Sequence, residues 1–174
     1  FHTYVQSKMI PFDSLEAMYF NDELFKKLDM DSYVASQWMA DQWGSPYWSD
    51  GTVRNCSRLA VAPTKSTALI MGGISEGINP DPAMTFTQTT AGGEADRINP
   101  TLLAIMKERG IYTNAVVRDL ADNFGSVQHV EWLSDEEKRV FKTAFEIDQN
   151  VVVRLASQRA KYLDQWQSVN LFFA

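Results

Sequence analysis

Cysteine and histidine are almost missing from this chain. One cysteine, Cys56, excludes an internal disulfide and any metal site built from several thiolates. The two histidines, His2 and His129, lie far apart with no His-x-x-x-His helical pairing, so zinc catalysis is not expected. Long apolar runs are lacking too, and none approaches the roughly 20 residues needed to cross a membrane as a helix. Basic residues are in the minority, 16 Lys and Arg against 22 Asp and Glu, for a net charge of −6. They are scattered, so no basic stripe is offered to a nucleic-acid backbone and direct binding of DNA or RNA is not expected. Also absent is a Gly-x-x-x-x-Gly-Lys-Ser/Thr loop, which argues against a kinase-like or nucleotide-transfer module. A lone thiol fits a reducing, cytoplasmic setting.

What is present is apolar and aromatic. With 174 residues, 45% of them hydrophobic and 12% aromatic, the chain has material for one core of ordinary size. Five Trp, ten Phe and six Tyr argue against disorder. Asp13 and Glu16 have the spacing of a capping box, and Leu15, Met18, Tyr19, Leu24, Phe25 and Leu28 follow a near-helical period, which predicts a helix over about 13–28. Asp31 can cap a second helix ending at Trp43, before Gly44 and Pro46. A turn-rich loop then leads to a short apolar strand over 58–62. Met84 to Thr90 alternates like a strand, Asn99-Pro100 opens a helix closed by Gly110, and 114–123 is helical. Ser134 with Glu137 forms a second capping box, whose helix places Phe141 and Phe145 on one face. A helix over 148–165 turns Val152, Leu155, Ala156, Leu163 and Trp166 to the core, and 168–173 reads as a buried strand. The rhythm is that of a helix-rich α/β fold whose two main strands need not be neighbours.

The chemistry concentrates at one junction. Leu59 to Ala62 is apolar, Pro63 ends the strand, and Thr64, Ser66 and Thr67 stand where a helix would begin, with Lys65 among them. Unpaired N–H groups and the positive end of the helix dipole favour an anion at such a place. An ordinary helix cap is the plain alternative. Beyond it, Gly72 to Pro82 carries three glycines and two prolines, and close backbone approach there suits a ligand wall or simply a long loop. Glu76 in that segment could order the loop or meet a cation, or be solvated, and Arg54 could pair with an internal carboxylate. Trp38, Trp43, Tyr47 and Trp48 would be the contact surface of a non-catalytic assembly module, if exposed, or core if not.

Read together, Arg54-Asn55, Ala60-Val61-Ala62-Pro63-Thr64-Lys65-Ser66-Thr67 and Gly77-Ile78-Asn79-Pro80 resemble the large, catalytic subunit of class I ribonucleotide reductases. Phe1-His2-Thr3-Tyr4 is similar to the family's G-F-H-x-Y segment, and Asp164-Gln165-Trp166-Gln167-Ser168-Val169-Asn170 to its D-Q-S-x-S-x-N strand. The runs Gly77 to Pro82 and Tyr162 to Ser168 are most similar to the T4-like bacteriophage branch.

That resemblance implies that residues 1–174 are a single partial domain truncated at both ends, the C-terminal portion of a ten-stranded α/β barrel. It implies that Pro63, Thr64, Lys65, Ser66 and Thr67 bind the diphosphate of a ribonucleoside diphosphate substrate. The parent reaction replaces the ribose 2'-hydroxyl with hydrogen by thiyl-radical chemistry to make deoxyribonucleotides for DNA synthesis. None of its active-site cysteines is present, no cofactor is expected on this segment, and Cys56 reads as a small buried hydrophobe. The implied partners are the rest of the large subunit, a separate metal-containing small subunit that supplies the radical, and a thiol reductant, within an oligomer. The apolar edges at 59–62 and 168–173 are expected to pair with strands outside this chain.

Overall fold

A computed structural model describes residues 1–90 and 93–173; for 87–90 and 93–96 it describes the backbone course alone. Seven helices and a hairpin are present among the described residues: α1 (His2–Ser7), α2 (Leu15–Trp43), α3 (Lys65–Ile70), β1 (Thr85–Thr90), β2 (Gly93–Ile98), α4 (Pro100–Glu108), α5 (Asn114–Asp122), α6 (Asp135–Val140) and α7 (Gln149–Ala160).

Local chemistry explains most of the helix starts. Asn99 accepts from the Thr101 and Leu102 N–H groups, Thr113 from Val116 and Asp148 from Asn150. Ser134 and Glu137 close the expected capping box. The first helix departs from expectation. Its cap is Ser14, not Asp13, and it continues through Asp31 to Trp43 as one 29-residue element. No Gly or Pro interrupts 29–32, and Asp31 pairs with Lys27 one turn back, so a residue that could cap a helix instead sits inside one.

Among the described residues two clusters form the core. Met84, Leu102, Met106, Leu120, Val127 and Phe141 pack α4, α5 and α6 beneath the antiparallel hairpin, and each is at most 1% exposed. Val5, Phe12, Ile147, Val152 and Leu155 join α1 to α7. Buried Gln6 stitches the two: its side chain donates to the Val140 carbonyl and accepts from Asn99 Nδ2 at 2.7 Å. Gly125 is required at the turn after α5, because a Cβ there would lie 2.5 Å from the Ala83 Cβ.

Several expectations are corrected. β2 was not anticipated, α1 was not anticipated, and the last helix stops at Ala160 rather than 165. Trp166 is 94% exposed, Leu163 and Ala156 are only half-buried, and Leu15, Tyr19 and Leu28 face solvent. Phe145 lies beyond α6, which ends at Val140, so it does not share the face of buried Phe141 and is half-exposed. Cys56 is exposed on the loop before residue 58 rather than buried. Arg54 donates to the carbonyls of Trp43 and Gly44, closing the end of α2, and meets no carboxylate among the described residues. The stretches 58–62 and 168–173 are not strands among the described residues, and 168–173 is half-buried to exposed rather than buried. They meet each other, in parallel, through a bridge between Val61 and Gln167, with Gln165 N donating to Leu59 O and Ser168 N to Val61 O. Segments over a hundred residues apart in sequence are therefore neighbours in space. No helix among the described residues is long and apolar enough to cross a membrane.

Candidate functional site

The parallel pair is anchored before the loop begins. The Asp164 carboxylate accepts from the backbone N–H of Arg58 and of Leu59, both at 2.8 Å. Burial pushes its acidity down, but those two amides and the Arg58 charge outweigh that and hold its pKa below the ordinary carboxylate value. The chain then runs through Val61 to Pro63 and enters α3 at Lys65, with Thr64 as the N-cap.

All five residues from Pro63 to Thr67 are exposed. Thr64 is in the left-handed region at φ 52, and its hydroxyl does not cap the helix. Instead Thr64 Oγ1 accepts from Gly77 N at 3.0 Å. Gly77 lies so close that a Cβ on it would meet the Ala62 carbonyl oxygen at 2.6 Å, which is why this wall of the loop needs glycine. With the Thr64 side chain turned away, no acceptor among the described residues takes the N–H groups of Lys65, Ser66 or Thr67. Those donors and the hydroxyls of Ser66 and Thr67, also without a partner among the described residues, lie together at one exposed helix end, which is the arrangement an anion recruits.

A polar cavity of about 400 Å³ adjoins the loop, lined by Lys65, Glu76, Asn79, Asp81, Arg97 and Asn170 among others. A second, apolar cavity of about 560 Å³ is lined by Thr64, Gly77, Ile78, Phe20 and the 60–62 strand. A third cavity, of about 830 Å³, is apolar, lies around Phe124 and Phe145, and includes none of the five loop residues. The exposed aromatics Trp38, Trp43, Tyr47 and Trp48 line none of these three.

Behind the polar cavity sits a buried group that the sequence did not single out for chemistry. The Asp81 N–H donates to His2 Nδ1 at 2.9 Å. That acceptor role leaves the ring proton on Nε2, a buried atom without a partner among the described residues. Burial lowers the His2 pKa to about 3, so the 3.9 Å approach of its ring to the Asp81 carboxylate is not an ion pair. Burial raises Asp81 to about 7, against the opposing pull of Arg97. Thr3 and Ser75 exchange hydrogen bonds of 2.7 and 3.0 Å alongside, and Asn79 Oδ1 accepts from Asn170 N, tying the glycine-rich segment to the last strand. Among the described residues no cluster of His, Cys, Asp and Glu could hold a metal ion.

Comparison with known proteins identifies the family to which the chain belongs. The family described as "Ribonucleotide reductase, barrel domain" matches residues 49–174. The ribonucleoside-diphosphate reductase large subunit of Invertebrate iridescent virus 6 is 40% identical over 177 residues, covering 99% of this chain and 18% of that protein. The protein of the same description in Invertebrate iridescent virus 3 is 36% identical over 99% of this chain and 28% of its own length. The class Id ribonucleotide reductase alpha subunit of Actinobacillus ureae superposes with a TM-score of 0.84 at 38% identity, over 98% of this chain and 31% of that one. This chain thus spans less than a third of the length of these relatives. A family match over most of its residues, and a shared three-dimensional course over nearly all of them, place this chain in the ribonucleotide reductase family, as a portion of the barrel domain.

Proposed function

We propose that this chain is part of a ribonucleoside-diphosphate reductase large subunit, and that Pro63, Thr64, Lys65, Ser66 and Thr67 hold the substrate's diphosphate. The observation that carries the reading is the set of unaccepted N–H groups at Lys65, Ser66 and Thr67, beside two free hydroxyls and the Lys65 ammonium. Charge-assisted hydrogen bonds of this kind are worth roughly 1.5 to 3 kcal/mol each, and several converge here. The roles divide within the loop. Thr64 shapes it through Gly77, the next residues donate, and Lys65 supplies a point charge at the mouth of the polar cavity.

The chain's contribution to the reaction is binding and orientation. Radical chemistry at the ribose is supplied by cysteines outside this segment, by a separate metal-containing small subunit and by a thiol reductant. The remainder of the large subunit completes the barrel, and the assembly works in a reducing cytoplasm. The runs Gly77 to Pro82 and Tyr162 to Ser168 favour the T4-like bacteriophage branch as its origin.

The test is calorimetric binding of CDP to the full-length protein and to its Thr67→Glu variant. A carboxylate at the helix start repels the diphosphate, so binding should weaken about tenfold or more. Equal affinity in the two proteins would overturn the assignment.

A further inference from the structure

We propose that Arg159 is a positioning residue for the 63–67 loop: its buried guanidinium sets the register of the parallel strand pair from which the loop projects. This inference rests on reading the loop as an anion site, and the experiment below separates the two.

Arg159 is 1% exposed, yet none of the ion pairs among the described residues reaches it. Burial lowers its pKa to about 10, so it remains charged at neutral pH. Its partners are all neutral. Nε donates to Gln167 Oε1 at 2.7 Å and Nη1 to Asn21 Oδ1 at 3.2 Å, while the guanidinium lies over the Phe25 ring with its centroid 5.7 Å away. A buried cation compensated only by amides and a ring is a poor device for stability, because desolvation costs several kcal/mol per ion. A rigid fork of donors is what an apolar residue of similar volume could not supply.

The fork joins three elements. Asn21 and Phe25 belong to α2, Arg159 to α7, and Gln167 to the last strand. The secondary bonds close the network: the Asn21 amide donates to Leu155 O and Gln158 Oε1, and the Gln167 amide to Ala156 O. Gln167 is also the residue whose backbone faces Val61 in the bridge. A slip of one residue would turn Gln167 to the opposite face and offer the guanidinium either Trp166, which has no acceptor, or Ser168, whose hydroxyl is too short to reach as the Gln167 amide does. The Asp164 clamp fixes where the pair starts, and Arg159 fixes which face of it points inward. Val61 is two residues before Pro63, so an error in this register is transmitted directly to the loop.

The experiment compares wild type, Arg159→Met, Arg159→Lys and Gln167→Met in the full-length protein. Pyrophosphate binding is measured by calorimetry, and backbone exchange by mass spectrometry of peptides. Arg159→Met should weaken pyrophosphate about tenfold and speed exchange in peptides covering 59–62 and 165–168, while peptides covering 100–122 keep their protection. Arg159→Lys, reaching one acceptor instead of two, should recover part of both. Unchanged binding and exchange, or exchange that rises evenly along the whole chain, would overturn the proposal. If Arg159→Met does not fold, Gln167→Met decides on the same two readouts, since that position is only half-buried. A wild type that fails to bind pyrophosphate refutes the anion site alone, and the exchange pattern still judges Arg159.

Discussion

Residues 84–141 and the pair of segments 58–67 and 165–173 handle their apolar side chains in opposite ways. The first closes its own core: Met84, Leu102, Met106, Leu120, Val127 and Phe141 are all at most 1% exposed. The second leaves its apolar residues open, with Trp166 94% and Phe173 75% exposed and a single bridge between the strands. The lesson is that a region whose side chains already fill one another's gaps is held by packing, whereas the loop-bearing region is held by directional contacts: the Asp164 clamp, the Thr64 to Gly77 bond and the Arg159 fork. Packing is cooperative and tolerant of surface change. Directional contacts are few, and each can be removed by one atom.

The comparison breaks most visibly in the closed region. Leu102→Ala empties a fully buried position and should cost about 3 to 5 kcal/mol in denaturant unfolding. A loss below about 1 kcal/mol would mean that this core is not as tightly closed as its burial indicates.

At the junction of the two regions, Asp81→Asn should stabilise the protein at pH 8 by a few kcal/mol, the second largest effect. The sign follows from the folded state holding the carboxyl proton up to about pH 7. The native protein binds more protons than the unfolded chain between about pH 4 and 7, so ionising Asp81 lowers stability as pH rises through that window. His2 runs the other way. With a folded pKa of about 3, its contribution is present above the unfolded value near 6.5 and is lost as pH falls. The two nearly cancel across the acid range, and Asp81→Asn should expose a stability that climbs from pH 4 to 6.5. A flat profile in that variant would contradict the burial of a neutral imidazole.

Asp164→Ala removes both amide contacts at the start of the strand pair and should cost about 1 to 2 kcal/mol near neutral pH. Because its pKa is held down in the folded protein, the difference from wild type should shrink as pH falls through that lowered value. A difference that stays constant into acid would remove the carboxylate from the argument.

Ser134→Ala opens the α6 capping box at a cost of about 1 kcal/mol, read by thermal unfolding. The smallest effect belongs to Trp166→Ala, which should change stability by less than about 0.5 kcal/mol despite losing the largest side chain in the last strand. A large loss there would show that Trp166 is covered in solution and that the open region is less open than described.

How much of this was readable beforehand depends on the range of the signal. The caps at Asn99, Ser134 and Asp148 lie within three residues of the amides they satisfy, so the helices they start were legible. The Pro63 to Thr67 loop was legible as a helix start for the same reason, and the family through the ordered companions of that loop along the chain. β2 was missed because Gly93 to Ile98 has no apolar alternation of its own and owes its extended form to pairing with β1. Trp166 was assigned to the core by extending the α7 pattern to 165, where the helix had already ended at Ala160, and Cys56 as a small hydrophobe, which does not say which way a loop is turned. Asp31 looked like a cap because a cap and a surface helix position suit the same residue.

By itself the sequence determined the helical segments, the anion-suited chemistry at 63–67 and the family, since caps, turns and ordered motifs act over a few residues. Only the tertiary structure decided that segments a hundred residues apart pair in parallel, that Thr64 turns to Gly77 and frees three amides, and that His2, Asp81 and Arg159 are buried with altered proton affinities. The physical reason is that burial and register are properties of what surrounds a residue. For these groups the surroundings come from distant parts of the chain.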